Sequence, residues 1–224
     1  EELERHGCIL SRPTDNTIRC QGKLTCGKYT VDGSVSSQFI TGLLYAMALM
    51  PGKSELTITG KTESQPYITM TQQALQMFGI DTNDYRVNGG YPFTSPGELC
   101  VEGDWSNGAF FLAGKTLGCN LSILGLSENS AQGDRAVDTI LKNLGTHITV
   151  DAANIPDLVP ILAVAGGAMN GITFTNVGRL RLKESDRVKS VADMLHALGA
   201  TAKIGQDSLT IFPAQYQSCT IDSV

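Results

Sequence analysis

The amino-acid sequence predicts an α/β fold, and two observations support this prediction. One pattern occurs three times along the 224 residues: a short strand that ends in valine and an acidic residue, a turn of small residues, an apolar helix and a further strand. In each copy the spacing of apolar residues changes from about 3.6 residues in the helix to about 2 in the strand, as alternating helices and strands require. We therefore predict a chain built from βαβαβ-like units.

The three copies follow one another along the chain. Each has a first strand end, an apolar helix and a following strand: Val31-Asp32, helix 39–50 and strand 56–59; Val101-Glu102, helix 109–117 and strand 121–124; Val150-Asp151, helix 158–168 and strand 172–175. Two further strands are predicted over 148–150 and 209–212.

A second helix in each copy ends in a leucine that is followed four residues later by a glycine. We expect these glycines to adopt the left-handed conformation that closes a helix; they are Gly79, Gly145 and Gly199. Residues 3–7 repeat this ending, and residues 219–224 resemble the first strand of another copy. The pattern therefore predicts an internal piece of a longer protein.

Composition excludes several classes of protein. The net charge of -5 and the pI near 5.2 argue against a surface that binds nucleic acid or anionic lipid. No apolar run approaches the length of a membrane span, and the N-terminus lacks the order of a signal peptide, so we expect a cytoplasmic protein. The six cysteines form no CxxC pair and have no histidine at ligand spacing, which favours reduced structural thiols over a metal site.

The spacing of the copies predicts two lobes. The interval between the first two copies is longer than the interval between the second and third, and Pro96-Gly97 lies within it. We place the boundary at the start of the second copy, with residues 1–102 as the C-terminal part of one lobe and residues 103–224 as the N-terminal part of another.

Two serine-containing turns precede predicted helices. The segment 34–38 (SVSSQ) lies where a strand turns into a helix, a place where backbone N–H groups and the helix dipole favour an anion and serine hydroxyls add donors. An ordinary serine N-cap is the alternative interpretation. The segment 64–67 (SQPY), with Pro66 suited to a first helical turn, is by itself a capping sequence, and we give the segment 132–135 (QGDR) the same interpretation.

Two further segments carry charge. Five cations lie within residues 179–189 (RLRLKESDRVK), whose alternating start predicts an edge strand before a helix. Cations at a helix N-terminus are unfavourable for the dipole, so the cluster favours a bound anion over a solvated charged surface. Asp157 lies in the first turn of a predicted helix, where it would be ionised and available as a base; an ordinary acidic helix start is the alternative.

Six motifs in this order resemble those of the 5-enolpyruvylshikimate-3-phosphate (EPSP) synthase family of enolpyruvyl transferases. They are DGSVSSQF at 32–39, SQPY at 64–67, VEGD at 101–104, NSAQGD at 129–134, NIPD at 154–157 and RLKESDR at 181–187. The resemblance implies a fold of two lobes built from βαβαββ repeats, an inside-out α/β barrel. It also implies transfer of the enolpyruvyl group of phosphoenolpyruvate to the 5-hydroxyl of shikimate 3-phosphate in aromatic amino acid biosynthesis.

The resemblance assigns roles to residues of this chain. Substrate binding would involve Ser36, Ser37, Ser64 and Tyr67 at shikimate 3-phosphate, Gln38 between the two substrates, Lys183 at shikimate 3-phosphate and Arg187 at phosphoenolpyruvate. Asp157 would contact the shikimate hydroxyls and assist deprotonation of the attacking one, and Glu184 would move a proton at the methylene carbon. No metal or other cofactor is implied, and the parent enzyme is expected to be a monomer.

Several cationic motifs of the family are absent from this sequence. A substrate-binding lysine, an asparagine-containing loop and an arginine that precede these motifs in the family are not found, nor are the later Asp-His-Arg motif and lysine. Because oriented cations are central to such catalysis, we expect no turnover by these 224 residues alone. Two alternatives stay open: a UDP-N-acetylglucosamine enolpyruvyl transferase, and a non-catalytic module that binds shikimate 3-phosphate.

Overall fold

A computed structural model describes residues 1–183 and 185–221 of the chain. The chain divides into two compact units, Glu1–Cys100 and Val101–Val224. The division at residues 102 and 103 that the sequence suggests stays a prediction. In the described ranges, no helix is both long and apolar enough to cross a membrane.

The first unit contains a hairpin and a three-stranded sheet. Its elements are α1 (Glu2–Arg5), β1 (Cys8–Thr14), β2 (Thr17–Gly22), β3 (Lys28–Asp32), α2 (Ser37–Leu49), β4 (Gly52–Thr59), α3 (Gln65–Met77) and β5 (Arg86–Gly89). Strands β1 and β2 pair with each other, and the sheet has the order β3-β4-β5. Strands β3 and β4 are parallel, whereas β4 and β5 are antiparallel.

The apolar faces of α2 and α3 form the core of the first unit. Its most deeply buried side chains come from β3 and the two helices and include Tyr29, Ile40, Leu44, Met47, Ile68 and Leu75. Helix α2 follows the apolar spacing that the sequence predicts, and Pro66 lies in the first turn of α3, where its missing N–H costs nothing. The first predicted copy is therefore present as β3-α2-β4-α3-β5.

The second unit contains the third predicted copy in full. Its elements are α4 (Trp105–Thr116), α5 (Ala136–Lys142), β6 (Ile148–Asp151), α6 (Val159–Ala168), β7 (Ile172–Thr175), α7 (Arg187–Ala197), β8 (Ala202–Ile204) and β9 (Ser208–Ile211). The sheet has the order β6-β7-β9-β8, with β6 and β7 parallel and the later pairs antiparallel. The succession β6-α6-β7-α7-β8-β9 is a βαβαββ unit, so the predicted α/β class is confirmed.

Helix α6 is buried at the centre of the second core. It is apolar on most of its circumference and packs with Leu158, Phe174 and Ile211. A side chain at Gly166 would overlap the side chain of Ile172, so the glycine allows the helix to lie directly against β7.

The second predicted copy has helices but lacks the two strands that were expected. Residues 121–124 and the segment that ends at Val101 and Glu102 are described by the structure, and neither is a strand. Leu124 and Val101 are 88% and 84% exposed, and the Gly103 N–H donates to the Gly125 carbonyl at 2.8 Å without starting a ladder. A parallel strand pair needs apolar cover on both faces, which these segments do not have here.

Three smaller predictions were wrong. Residues 179–182, expected as an edge strand, lie in a 3₁₀ turn (Gly178–Leu182). Leu180 and Leu182 would share one face of a strand, but Leu180 is buried and Leu182 is 83% exposed. The Gly178 N–H donates to Asp207 at 2.8 Å. Gly79 and Gly199 have the left-handed conformation, but Gly145 does not. Residues 219–221 form no strand, and the rest of that predicted strand, 222–224, lies outside the described residues.

Candidate functional site

The serine turns of the first unit lie at the same edge of its sheet. Strands β3 and β4 are parallel neighbours, so their carboxyl ends, Asp32 and Thr59, lie side by side. The Gly33 N–H donates to the Thr59 carbonyl at 2.9 Å and continues this pairing. Helices α2 and α3 begin a few residues after these strand ends, which places two helix N-termini at one edge, the arrangement that favours an anion.

The Ser36 turn is a helix cap of ordinary geometry. Ser36 is the N-cap of α2, and its Oγ accepts from the Gln38 N–H at 3.2 Å. Ser37 is buried at the start of the helix, whereas the Gln38 side chain is exposed. The capping interpretation is therefore correct for Ser36, and a serine hydroxyl that accepts from the backbone still has its own proton to donate to an anion.

The Ser64 turn has a strained backbone. Ser64 precedes α3 with φ 54° and ψ 39°, a left-handed conformation that is uncommon outside glycine, and it is 3% exposed. Its hydroxyl does not cap α3, while its carbonyl accepts from the Tyr67 N–H at 3.1 Å. Strain held at a helix start is typical of functional turns. The capping interpretation is therefore wrong for Ser64, and its role at shikimate 3-phosphate stays a prediction.

Asp32 orders the first of these turns, a role that sequence reasoning missed. Its Oδ1 accepts from the Ser34 N–H at 2.8 Å and from the Ser34 hydroxyl at 2.6 Å. The Ser34 hydroxyl first, and then its N–H, lower the pKa of the Asp32 carboxyl below its ordinary value, against a small opposing effect of desolvation. The Asp-x-Ser spacing is an Asx-turn signal and could have identified this residue.

Replacement of Ser34 by alanine should raise the pKa of Asp32, because the two-residue turn then loses its hydroxyl donor. Because the pKa of Asp32 is lower in the folded chain than in the unfolded chain, where it is about 3.9, the ionised carboxylate stabilises the fold at pH values above about 3.9. This stabilisation is lost as the pH falls through the pKa of the folded chain. An NMR titration of the Asp32 carboxyl carbon measures the shift. Ser95→Ala, in another serine turn of the same unit, should leave the Asp32 titration unchanged. An equal effect of both variants would contradict the assignment.

In the second unit the structure brings Asp157 and Arg187 together. Asp157 lies in the 3₁₀ turn Pro156–Leu158 before α6, and Arg187 is the first residue of α7. Because β6 and β7 are parallel neighbours, the segments that follow them meet at one edge of the sheet. The Arg187 Nη1 donates to Asp157 Oδ1 at 2.6 Å, and both side chains are about one-third exposed or less, at 28% and 35%.

The other predicted cations of this segment differ in their surroundings. Arg181 donates to the Gly205 carbonyl at 3.0 Å and lies 3.7 Å from the Asp186 carboxylate, and Lys189 pairs with Asp193 one turn along α7. Asp186 also caps α7 by accepting from the Lys189 N–H at 3.0 Å. The clustered cations are therefore balanced in part by carboxylates, which the count of cations alone did not anticipate.

Lys183 and Glu184 are the other two predicted site residues of this segment. Lys183 directly follows the 3₁₀ turn Gly178–Leu182, four residues before the first residue of α7, and is partly exposed. Glu184, the predicted proton carrier at the methylene carbon, lies outside the described residues. The roles of both stay predictions.

Gln132 does not cap its helix, contrary to the expectation for residues 132–135. Its side chain instead joins two loops: Oε1 accepts from the Trp105 N–H at 2.8 Å, and Nε2 donates to Glu102 Oε1 and to the Gly103 carbonyl, both at 2.9 Å. A long amide with two donors and one acceptor suits such a bridge better than a cap. The bridge fixes the start of α4.

The cysteines agree only in part with the expectation of structural thiols. All six lie within the described residues and none forms a disulfide there; Cys8 is buried and the other five are exposed. Among the described residues no group of three or more His, Cys, Asp or Glu is placed to hold a metal ion.

Each unit thus presents groups suited to anionic ligands. The first offers two helix N-termini with serine hydroxyls, and the second offers a carboxylate in contact with a guanidinium. A guanidinium has five N–H donors, so a bond from Arg187 to Asp157 is compatible with a second, anionic acceptor.

The family comparison agrees with the motifs. The family model described as EPSP synthase (3-phosphoshikimate 1-carboxyvinyltransferase) matches residues 9–224. A protein of that name from Clostridium novyi (strain NT) is 41% identical, and the match covers 87% of this chain and 50% of that protein. Its counterpart from Cronobacter sakazakii is 35% identical, and the match covers 91% of this chain and 54% of that protein. The chain therefore spans about half the length of these curated relatives.

Solved structures share the fold. The EPSP synthase from Acinetobacter baumannii has a TM-score of 0.69 at 20% identity, over 95% of this chain and 55% of that one. The enolpyruvyl transferase NikO from Streptomyces tendae has a TM-score of 0.62 at 14% identity, over 94% and 56%. The predicted enolpyruvyl transferase-like fold is thereby confirmed, and with the match over residues 9–224 the chain belongs to the EPSP synthase family.

Proposed function

We propose that these residues, as part of the longer protein that their repeats predict, transfer the enolpyruvyl group of phosphoenolpyruvate to the 5-hydroxyl of shikimate 3-phosphate, with release of phosphate, in the pathway to chorismate and the aromatic amino acids. The observation that carries this proposal is the 2.6 Å contact between Asp157 and Arg187. It joins two separate family motifs, 154–157 and 181–187, at one edge of a sheet in a chain that belongs to this family.

The first unit would hold the phosphate of shikimate 3-phosphate. Ser36, Ser37 and Ser64 would donate hydroxyl protons to its oxygens, with the N-termini of α2 and α3 directed toward the charge and Tyr67 alongside. Gln38, exposed at the start of α2, would reach between the two substrates. Support comes from the position of both turns at the carboxyl ends of β3 and β4.

The second unit would carry the proton transfers. Asp157 would accept the proton of the 5-hydroxyl as that oxygen bonds to C2 of phosphoenolpyruvate, while Glu184 would donate a proton to the methylene carbon. Phosphate would then leave the tetrahedral intermediate as a proton is removed from the new methyl group. Lys183 would stabilise the anionic charge of shikimate 3-phosphate and Arg187 that of phosphoenolpyruvate. Neither step needs a metal or another cofactor.

Replacement of Ser36 by alanine should weaken shikimate 3-phosphate binding by about 10- to 100-fold, because a hydrogen bond to a charged group contributes about 1.5–3 kcal/mol. Amide NMR shifts of residues 36–38 and of residues 64, 65 and 67, followed during titration, measure this affinity, and shikimate without phosphate is the ligand control. Both turns should respond with the same ligand dependence, since one phosphate contacts both.

Ser95→Ala is the matched control for this measurement. The Ser95 Oγ accepts from the Gly97 N–H at 3.2 Å, the same local bond that Ser36 makes with Gln38. The control variant should bind like the wild type. Equal affinity of the Ser36→Ala variant, or a response to UDP-N-acetylglucosamine in place of shikimate 3-phosphate, would contradict the proposal.

Three further expectations stay predictions. A phosphate-release assay with both substrates tests whether the 224 residues alone are inactive. Sedimentation tests the monomeric state, and fractionation of cells tests the cytoplasmic location.

A further inference from the structure

Two cysteines of the first unit lie on the same face of the β1–β2 hairpin. In this antiparallel ribbon Cys8 pairs with Gly22 and Leu10 pairs with Cys20. Side chains two residues apart share a face, so Cys20 lies directly opposite Leu10 and diagonally opposite Cys8. This placement follows from the register of the two strands.

Gly22 gives the two thiols room to meet. It has no side chain, so nothing stands directly across from Cys8 on this face. The backbones also approach closely here: a Cβ at Gly22 would overlap the Gly7 carbonyl oxygen. Burial raises the pKa of the Cys8 thiol, and Cys20 raises it further through a side-chain hydrogen bond and through charge repulsion. The register therefore places the two thiols as diagonal neighbours on one face of the ribbon, and the raised pKa of Cys8 agrees with this placement.

The two thiols differ in access. Cys8 is buried, whereas Cys20 is exposed to solvent. The third cysteine of this region, Cys26, has another partner, since its Sγ donates to the Pro51 carbonyl at 3.5 Å. An exposed thiol beside a buried one is the arrangement of an attacking and a resolving cysteine.

We propose that Cys8 and Cys20 form a modification site that reacts with small disulfides of the oxidised glutathione class. The Cys20 thiolate attacks the small disulfide, forming a mixed disulfide and releasing one small thiolate. The Cys8 thiolate then attacks the Cys20 sulfur, forming the Cys8–Cys20 disulfide and releasing the second. Two protein thiols are oxidised, one small disulfide is reduced to two thiols, and the two protons pass through solvent to the released thiolates.

Mass spectrometry of the 224-residue chain tests this proposal. After full reduction and exposure to oxidised glutathione, the peptides that carry Cys8 and Cys20 should together lose the mass of two hydrogens and keep no glutathione, whatever the other exposed cysteines carry. Trypsin separates the three cysteines of this region into the peptides 6–19, 20–23 and 24–28. The first two should be recovered as one disulfide-linked species.

Substitutions distinguish the two roles. Cys8→Ser should stop at the mixed disulfide on Cys20, and Cys20→Ser should lose the bridge and leave Cys8 unmodified. The matched control is Cys119→Ser, which removes an exposed thiol of the second unit and should leave the bridge intact. A glutathione adduct that persists on wild-type Cys20, a bridge to peptide 24–28, or a bridge between two chains would overturn the proposal.

Discussion

Replacement of Asp157 by asparagine should lower the rate of enolpyruvyl transfer by about 10²–10⁴-fold, the contribution expected of a positioned general base. Asparagine keeps the size of the side chain and one oxygen that accepts from Arg187, but it cannot take the hydroxyl proton. The measurement is phosphate release at saturating phosphoenolpyruvate and shikimate 3-phosphate, made on the intact gene product. The fall should appear in kcat, because the lost interaction acts in the transition state.

Asp138→Asn is the matched control for this loss of activity. It also removes one carboxylate and one 2.6 Å ion pair of the second unit, between Asp138 and Lys142 on the exposed surface of α5. The control should retain full activity. An Asp157→Asn enzyme with a rate close to that of the wild type would show that another group accepts the proton.

Stability separates a catalytic role of Asp157 from a structural one. The Asp157–Arg187 pair is partly exposed to solvent, and such pairs contribute about 0–1 kcal/mol to folding. The free energy of unfolding of Asp157→Asn should therefore fall by no more than about 1 kcal/mol. A large loss of activity with this small loss of stability is the signature of chemistry rather than of unfolding.

The sequence predicted the helices of the first and third copies because their apolar spacing is set by the helix itself. Helix α2 buries one face and helix α6 buries most of its circumference, so the apolar spacing of each can be read from its own residues. Apolar alternation predicts a strand less well, since a strand exists only where another strand pairs with it. The alternation at residues 121–124 is real, yet the segment has no ladder, and the alternation at residues 179–182 belongs to a 3₁₀ turn.

The candidate site shows the same division. Motifs identified Asp157 and Arg187 separately, but their contact depends on two parallel strands that place the segments side by side. The strain at Ser64 was also beyond the sequence, because a left-handed serine has no local signal. The Asp32 turn, in contrast, could have been predicted from its Asp-x-Ser spacing, since the bonds that form it are only two residues apart.

Replacement of Gly89 by alanine should destabilise the first unit by about 1–3 kcal/mol or more. Gly89 ends β5, and a Cβ there would overlap the Met47 carbonyl oxygen and lie 2.5 Å from that of Met50 and 3.0 Å from that of Ala48. These carbonyls belong to the C-terminal end of α2 and to the residue that follows it. The strand would have to leave its pairing with β4, or the helix end would have to open, because backbone atoms cannot move aside as a flexible side chain can.

Gly42→Ala tests whether steric overlap, rather than the change from glycine, causes this loss. Gly42 lies inside α2, and a Cβ at this position meets no atom within 4 Å. Alanine there should raise the free energy of unfolding by about 0.5–1 kcal/mol, since it favours the helix and restricts the unfolded chain. Urea denaturation followed by circular dichroism measures both variants. Opposite signs would locate the constraint in the contact between β5 and α2. An unchanged Gly89→Ala would contradict that constraint, and a destabilised Gly42→Ala would show that loss of glycine is itself destabilising in this unit.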